Sequence, residues 1–289
     1  MDGSKRECVA EMTNAVTLAR RGLLDALEAL QDHLDAIVLV GAQAIYLHTG
    51  EAEVALAAYT TDGDLVVDPS ILGTDPRIEN ALAAGGFKPL NNKNGHRVIG
   101  SWITDFDVAV DLMVPTEVAG SGKKTSRGVE APPHDRYAMR RTHGLEGALV
   151  DYSVMTISSL ELSDTRSFKV KVAGPAALLI AKLHKINDRL EQSHDRRDDK
   201  DAHDIYRLFR TVETTTLAES FRRLIATPVS KSASIEAVRM LDVLFGSNSA
   251  NGSHMAGRAE EGVGNPEQVA LAVSLLAADL LTALGPQSH

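Results

Sequence analysis

The stretch "AAYTTDGDLVV", residues 57–67, places Asp62 and Asp64 one residue apart at the head of an apolar, strand-like run. In an extended chain residues i and i+2 point the same way, so both carboxylates project to one side while Leu65 and Val67 project to the other. Like charges this close repel, and without a cation between them the pair raises one member's pKa or lowers stability. A hard divalent ion relieves the repulsion, because Mg2+ takes oxygen ligands, usually from one or two carboxylates and substrate phosphates. Thr-Thr-Asp-Gly-Asp is also good turn chemistry. The stretch alone leaves both readings open.

The flanking pattern decides between folds. Upstream, residues 9–34 carry Val16, Leu23, Leu27, Leu30 and Leu34 at helical spacing, which predicts a long amphipathic helix. "AIVLVG" at 36–41 then reads as a buried strand, and "AQAIYLHTG" as a short helix stopped by Gly50. Downstream, "PRIENALAAGG" at 76–86 reads as a helix, and "GHRVIGSWI" with "DFDVAVDLMV" as a hairpin. This α-β-α-β-α-β-β order predicts an α+β mixed sheet covered by helices. The polar run 120–141 reads as a long loop, 148–160 and 167–174 return to strand character, and five helices are expected over 175–191, 199–211, 215–226, 232–246 and 266–284. The residues between the last two helices read as a disordered linker. The boundary between a sheet domain, 1–174, and a helical domain, 175–289, falls near residue 174.

At 289 residues with 44% hydrophobic content, the chain can bury a real core in two domains. "AIVLVGAQAIYL" and "VAGPAALLIAKL" are too short to span a bilayer and the N-terminus lacks a signal-peptide pattern, so no membrane partner is expected and the chain is read as cytoplasmic. One cysteine, Cys8, excludes an internal disulfide and a thiolate zinc cluster. A net charge of −9 argues against non-specific coating of nucleic acid. A local basic surface is still allowed: Lys123, Lys124, Arg127, Arg136, Arg140 and Arg141 outnumber Glu130 and Asp135 in the 120–141 stretch.

Two further pieces join the Asp pair. In "LVGAQAIY", 39–46, a strand ends at Gly41 and a helix begins, so the backbone can approach a ligand while helix amides face an anion. In "FDVAVDLMV", Asp107, Ala109 and Asp111 share a strand face, and a carboxylate between Val110 and Leu112 is costly to bury without a partner. Asp111 is the natural third ligand. By contrast, "GSGKKTS" fails as a phosphate loop, because Glu117 replaces its first glycine and Lys124 its hydroxyl residue. "SHD" and "AHD" at 193–195 and 202–204 lack further ligands, and His48, His143 and His184 read as scattered surface or packing residues.

This combination of strand, Gly, small residue and helix, then Asp-x-Asp, then a third Asp, resembles the polymerase-β-like nucleotidyltransferase superfamily. The resemblance implies that Gly41 and Ala42 touch an NTP triphosphate, while Asp62, Asp64 and Asp111 hold Mg2+ (or Mn2+). The superfamily usually has Ser or Gly at the position of Ala42. The segment "GPAALLIAKLHKINDRLEQSHDRRDDKDAHDIYRLFR" resembles the AbiEii and MenT group of nucleotidyltransferase toxins of type IV toxin-antitoxin systems, with Lys182, Arg189, Lys200, Asp201 and Asp204 in their helical motif and Thr60 ahead of Asp62. That likeness implies phosphate-binding roles for Thr60, Lys182 and Arg189, and a role for Asp204 as general base or as a partner that orients Lys182. It also implies an RNA acceptor, a tRNA 3′ end, with translation arrest as the outcome and a cognate antitoxin as partner. The alternatives are the same chemistry on a protein or small-molecule acceptor, and a non-catalytic nucleotide- or partner-binding module.

Overall fold

The computed structural model of the chain describes residues 3–50, 62–120, 127–192, 199–262 and 264–285. The chain divides into two compact units, one of residues 1–142 and 152–173, the other of residues 143–151 and 174–289. The first holds the sheet and the second is helical, an α+β organisation.

In the sheet unit, α1 (Gly3–Ala29) leads through a 3-10 turn (Gln31–Ala36) into β1 (Ile37–Val40), α2 (Gly41–Thr49) and β2 (Asp62–Val67). Then come α3 (Ile78–Ala84), β3 (Lys88–Asn91), β4 (Arg97–Ile103), β5 (Ala109–Pro115), β6 (Arg140–Thr142), β7 (Tyr152–Ser158) and β8 (Ser167–Ala173). The sheet order is β3-β4-β5-β2-β1-β8-β7, with β6 beside β5. It is mixed: β2 runs parallel to β5 and antiparallel to β1, and β1 runs parallel to β8. One face carries Leu65, Val110 and Leu112 into the core. Gly63 shares that face, where a side chain would meet Leu23 of α1 at 3.5 Å. The carboxylates at 62 and 64 fall on the opposite face.

Two sequence expectations need correction here. The β5 strand begins only at Ala109, because Asp107 is exposed in a turn with φ +58° whose amides at 106 and 108 bond Thr104 Oγ1. Asp107 is therefore not on the face of Asp111. The polar run 120–141 is also not a loop throughout. Val129, Ala138 and Met139 are buried, Trp102 Nε1 donates to the Ala138 carbonyl at 3.0 Å, and the segment ends in β6.

The helical unit comprises α4 (Pro175–Gln192), α5 (Asp199–Thr211), α6 (Thr214–Ala226), α7 (Pro228–Phe245), α8 (Asn251–Ala259) and α9 (Pro266–Leu284), with a 3-10 turn at Glu146–Leu149. Helix α8 occupies the stretch expected to be a disordered linker. Its glycines are needed there, since a side chain at Gly252 would strike the Phe245 ring at 2.6 Å and one at Gly257 the Pro266 carbonyl at 2.5 Å. Tertiary packing overrides poor local propensity. Helix α9 is long and apolar enough, by length and composition, to cross a membrane. In this unit it packs against α5, α6, α7 and α8 and buries Val269, Val273, Ala277 and Leu280.

Candidate functional site

The carboxylate face is assembled by strand register. Asp64 lies directly opposite Asp111 across the parallel β2–β5 pair, and Val40 lies opposite Asp64 on the other side. One residue past Val40 the chain turns at Gly41, with φ +72°, into α2. A Cβ at Gly41 would overlap the Asp64 carboxylate, so glycine is required both for the left-handed backbone and for this close approach. Ala42, next in the chain, is buried. Val40 supplies no side-chain cap, which leaves the first amides of α2 beside the acidic face.

Each carboxylate has a distinct setting. Asp62 and Asp64 are both partly exposed, as groups that must reach a ligand would be. The Asp62 carbonyl accepts from Gln43 Nε2 at 3.3 Å, and that buried amide also donates to the Ala19 carbonyl at 3.1 Å and accepts from Arg20 Nε at 3.1 Å. Gln43 thereby ties α1, α2 and the start of β2 together. Asp111 is held on both oxygens: Ser101 Oγ donates to Oδ1 at 2.5 Å, and Arg140 Nη1 to Oδ2 at 2.6 Å. Arg140, grouped by sequence with solvent-facing cations of a loop, is instead the partner that a carboxylate in an apolar strand requires. Arg141 likewise turns inward, donating to the carbonyls of Ala119 and Gly120. Lys123, Lys124 and Thr60 lie outside the described residues.

In the helical unit the residues of the second motif converge on Asp201, which is fully buried. Lys182 of α4 donates to Asp201 at 2.5 Å and to Asp204 at 2.7 Å, Arg189 donates to Asp201 at 2.6 Å, and Lys185 lies 3.4 Å from it. The spacing 182, 185, 189 puts all three cations on one side of α4, facing the first turn of α5. Burial pushes Lys182 toward neutrality, but Asp201 and Asp204 outweigh it and hold its pKa above the ordinary lysine value. Burial also opposes the charge on Asp201, and Lys182, Lys185 and Arg189 hold it below the usual carboxylate range. Lys182 is 5% exposed. It acts within this network as an organiser of two carboxylates.

Two histidines read as scattered are not so. His143 and His184 stack edge to face at 4.7 Å between ring centroids, beside Glu236. Neither their sequence separation nor their surroundings signals the meeting. His48, by contrast, is the packing residue expected, its Nε2 bonded to the Ala173 carbonyl at 2.8 Å.

Comparison with known proteins adds one result. A family model described as nucleotidyltransferase matches residues 21–230, which spans the sheet and helices α4 to α6. Searches of curated proteins and of solved structures returned no match.

Proposed function

The chain belongs to the nucleotidyltransferase family, and from that premise we propose that it moves a nucleoside monophosphate from an NTP to an RNA acceptor, the 3′ end of a tRNA. As a toxin it would thereby block translation, held in check by a cognate antitoxin. The observation that carries the transfer chemistry is Asp64 seated against Gly41 at the start of α2, with Asp62 on the same strand face. Bare backbone at Gly41 admits a phosphate to the α2 amides.

The donor set fits a hard divalent ion, since Asp62 and Asp64 offer oxygen ligands from one strand face and Asp111 stands opposite Asp64. Asp62 and Asp64 would hold Mg2+ (or Mn2+), and Asp111, the third ligand that the resemblance implies, would join them only by giving up its Arg140 bond. When bound, the ion supplies charge neutralisation at the reacting phosphoryl oxygens. The acceptor hydroxyl oxygen gives up its proton to solvent and bonds to the α-phosphorus, the bond from that phosphorus to the bridging oxygen breaks, and pyrophosphate leaves. Gln43 keeps Asp62 in place through its carbonyl. The resemblance assigns Lys182 and Arg189 to phosphate, but within the helical unit both are bonded to Asp201, so Lys182 is assigned here the orienting of Asp201 and Asp204, and its 2.7 Å bond favours Asp204 as its partner over a general base.

Support for RNA comes from the resemblance and from the exposed Arg127 and Arg136, since Arg140 and Arg141 are used internally. The test is incubation of the protein with each α-labelled NTP, Mg2+ and total RNA. Label in a ribonuclease-sensitive tRNA band, lost with Asp64→Asn, is the expected result. Ribonuclease-resistant label in a polypeptide would move the acceptor to protein, and no labelled product with any NTP or acceptor would overturn transfer itself.

A further inference from the structure

The segment 143–151, α4 and α7 meet around four side chains that nucleotidyl transfer does not use: His143, Glu146, His184 and Glu236. One ligand atom from each of His143, His184 and Glu236 lies within 4.8 Å of the others. His143 Nε2 is 2.8 Å from Glu236 Oε2, and Ser232 Oγ donates to the other Glu236 oxygen at 3.0 Å, which leaves Oε2 turned to the cluster. His184 Nε2 is 2.9 Å from the Ala233 carbonyl. A carbonyl only accepts, so that nitrogen carries the hydrogen and Nδ1 carries the lone pair. The backbone is built close around this residue, because Gly144 has φ +85° and a side chain there would strike His184 Cβ at 2.5 Å and the ring at 2.6 Å.

Glu146 stands behind His143 in the cluster. It is fully buried, and its Oε2 accepts from the Gly144 amide at 2.8 Å. Its Oε1 accepts no hydrogen bond and forms an ion pair with His143 Nδ1 at 3.5 Å. A buried carboxylate is costly unless positive charge stands beside it, which a protonated His143 supplies and a bound cation would supply in its place.

We propose that His143 Nε2, His184 Nδ1 and Glu236 Oε2 form a binding site for a divalent transition-metal ion of the zinc class. Two imidazoles and one carboxylate are a borderline donor set that suits Zn2+ and Co2+, whereas Mg2+ prefers oxygen alone. The other nitrogen of each imidazole faces an acceptor, the Ala233 carbonyl at 2.9 Å for His184 and the ion-paired Glu146 Oε1 at 3.5 Å for His143. That is the arrangement that orients ligands at protein zinc sites. The ion's charge would take the place of the proton on His143 beside Glu146. The ion ties the 143–151 segment to α4 and α7 and leaves a fourth position open to water.

Titration of the tag-free, chelator-treated full chain with Zn2+ and with Co2+ tests this by stoichiometry and by the visible Co2+ spectrum, so the result does not depend on transferase activity. One equivalent of Zn2+ is expected, with a tetrahedral Co2+ band and a raised melting temperature, neither displaced by excess Mg2+. Both signals should vanish in His143→Gln and in Glu236→Gln, whose side chains are partly exposed and should leave the fold intact. Glu146→Gln should weaken Zn2+ binding about 10- to 100-fold, the range for loss of an outer-sphere partner. Absence of a bound equivalent, or equal binding by the parent and the two ligand variants, would overturn the proposal.

Discussion

The sheet unit and the helical unit both crowd carboxylates, and each settles the charge in its own way. In the helices, Asp201 is fully buried and met by Lys182, Arg189 and Lys185, while Asp204 shares Lys182. On the sheet, Asp62 and Asp64 sit partly exposed on one face beside Gly41, and Arg140 pairs with Asp111. Charge density alone therefore does not distinguish a structural network from a ligand site. Burial does, because a fully buried carboxylate met by several cations holds elements together, whereas partly exposed ones beside bare backbone can take a metal and a phosphate.

The largest expected effect breaks the sheet side of this comparison. Asp62→Asn or Asp64→Asn should reduce transfer by more than about a hundredfold, beyond the cost of an outer-sphere change, while preserving or raising the melting temperature because repulsion is relieved. A melting temperature lowered by many degrees would instead make these turn residues. On the helical side, Lys182→Ala should destabilise by about 3–5 kcal/mol, since it removes the buried cation from Asp204 and leaves Asp201 only Arg189 and Lys185. Denaturant unfolding reads this directly, and unchanged stability with lost NTP use would move Lys182 from organiser to phosphate ligand.

A smaller effect sharpens the link between Gly41 and Asp64. Gly41→Ala forces a side chain into left-handed backbone at about 1–2 kcal/mol and displaces the Asp64 carboxylate, so transfer should fall more than stability does. Equal activity in parent and variant would show that the close approach is dispensable. The smallest effect concerns pH. The pKa of Asp201 is depressed below its ordinary 3.8, so its contribution is fully present above that value and is lost as acidification proceeds toward its lower folded pKa. Melting curves from neutral pH to below pH 4 should therefore show a steeper acid loss for the parent chain than for Asp201→Asn. Parallel curves would mean that Asp201 contributes no linkage.

Most elements were legible because helix and strand periods are local. The α4, α5 and α9 spans and the β4–β5 hairpin follow from apolar spacing. Short β3 and β6 were not legible, since three or four polar-flanked residues carry no period and gain strand geometry only from the neighbours they pair with. Helix α8 was missed because Gly252 and Gly257 lower local propensity while serving close contacts that lie elsewhere in the chain. Asp107 was misplaced because alternation cannot show where a hairpin turn stops and its strand starts.

What the sequence by itself determined was the placing of Asp62 and Asp64 on one strand face, and of Lys182, Lys185 and Arg189 on one helix face, since both follow from fixed backbone periods. Only the tertiary structure decided the partners. It set Asp111 beside Arg140, 29 residues away, Lys182 against Asp204, 22 residues away, and His143 against Glu236, 93 residues away. No local period relates residues so far apart. Their meeting is fixed by strand register and by the close packing of helices, where a glycine at 41 or 144 leaves just enough room for a carboxylate or an imidazole.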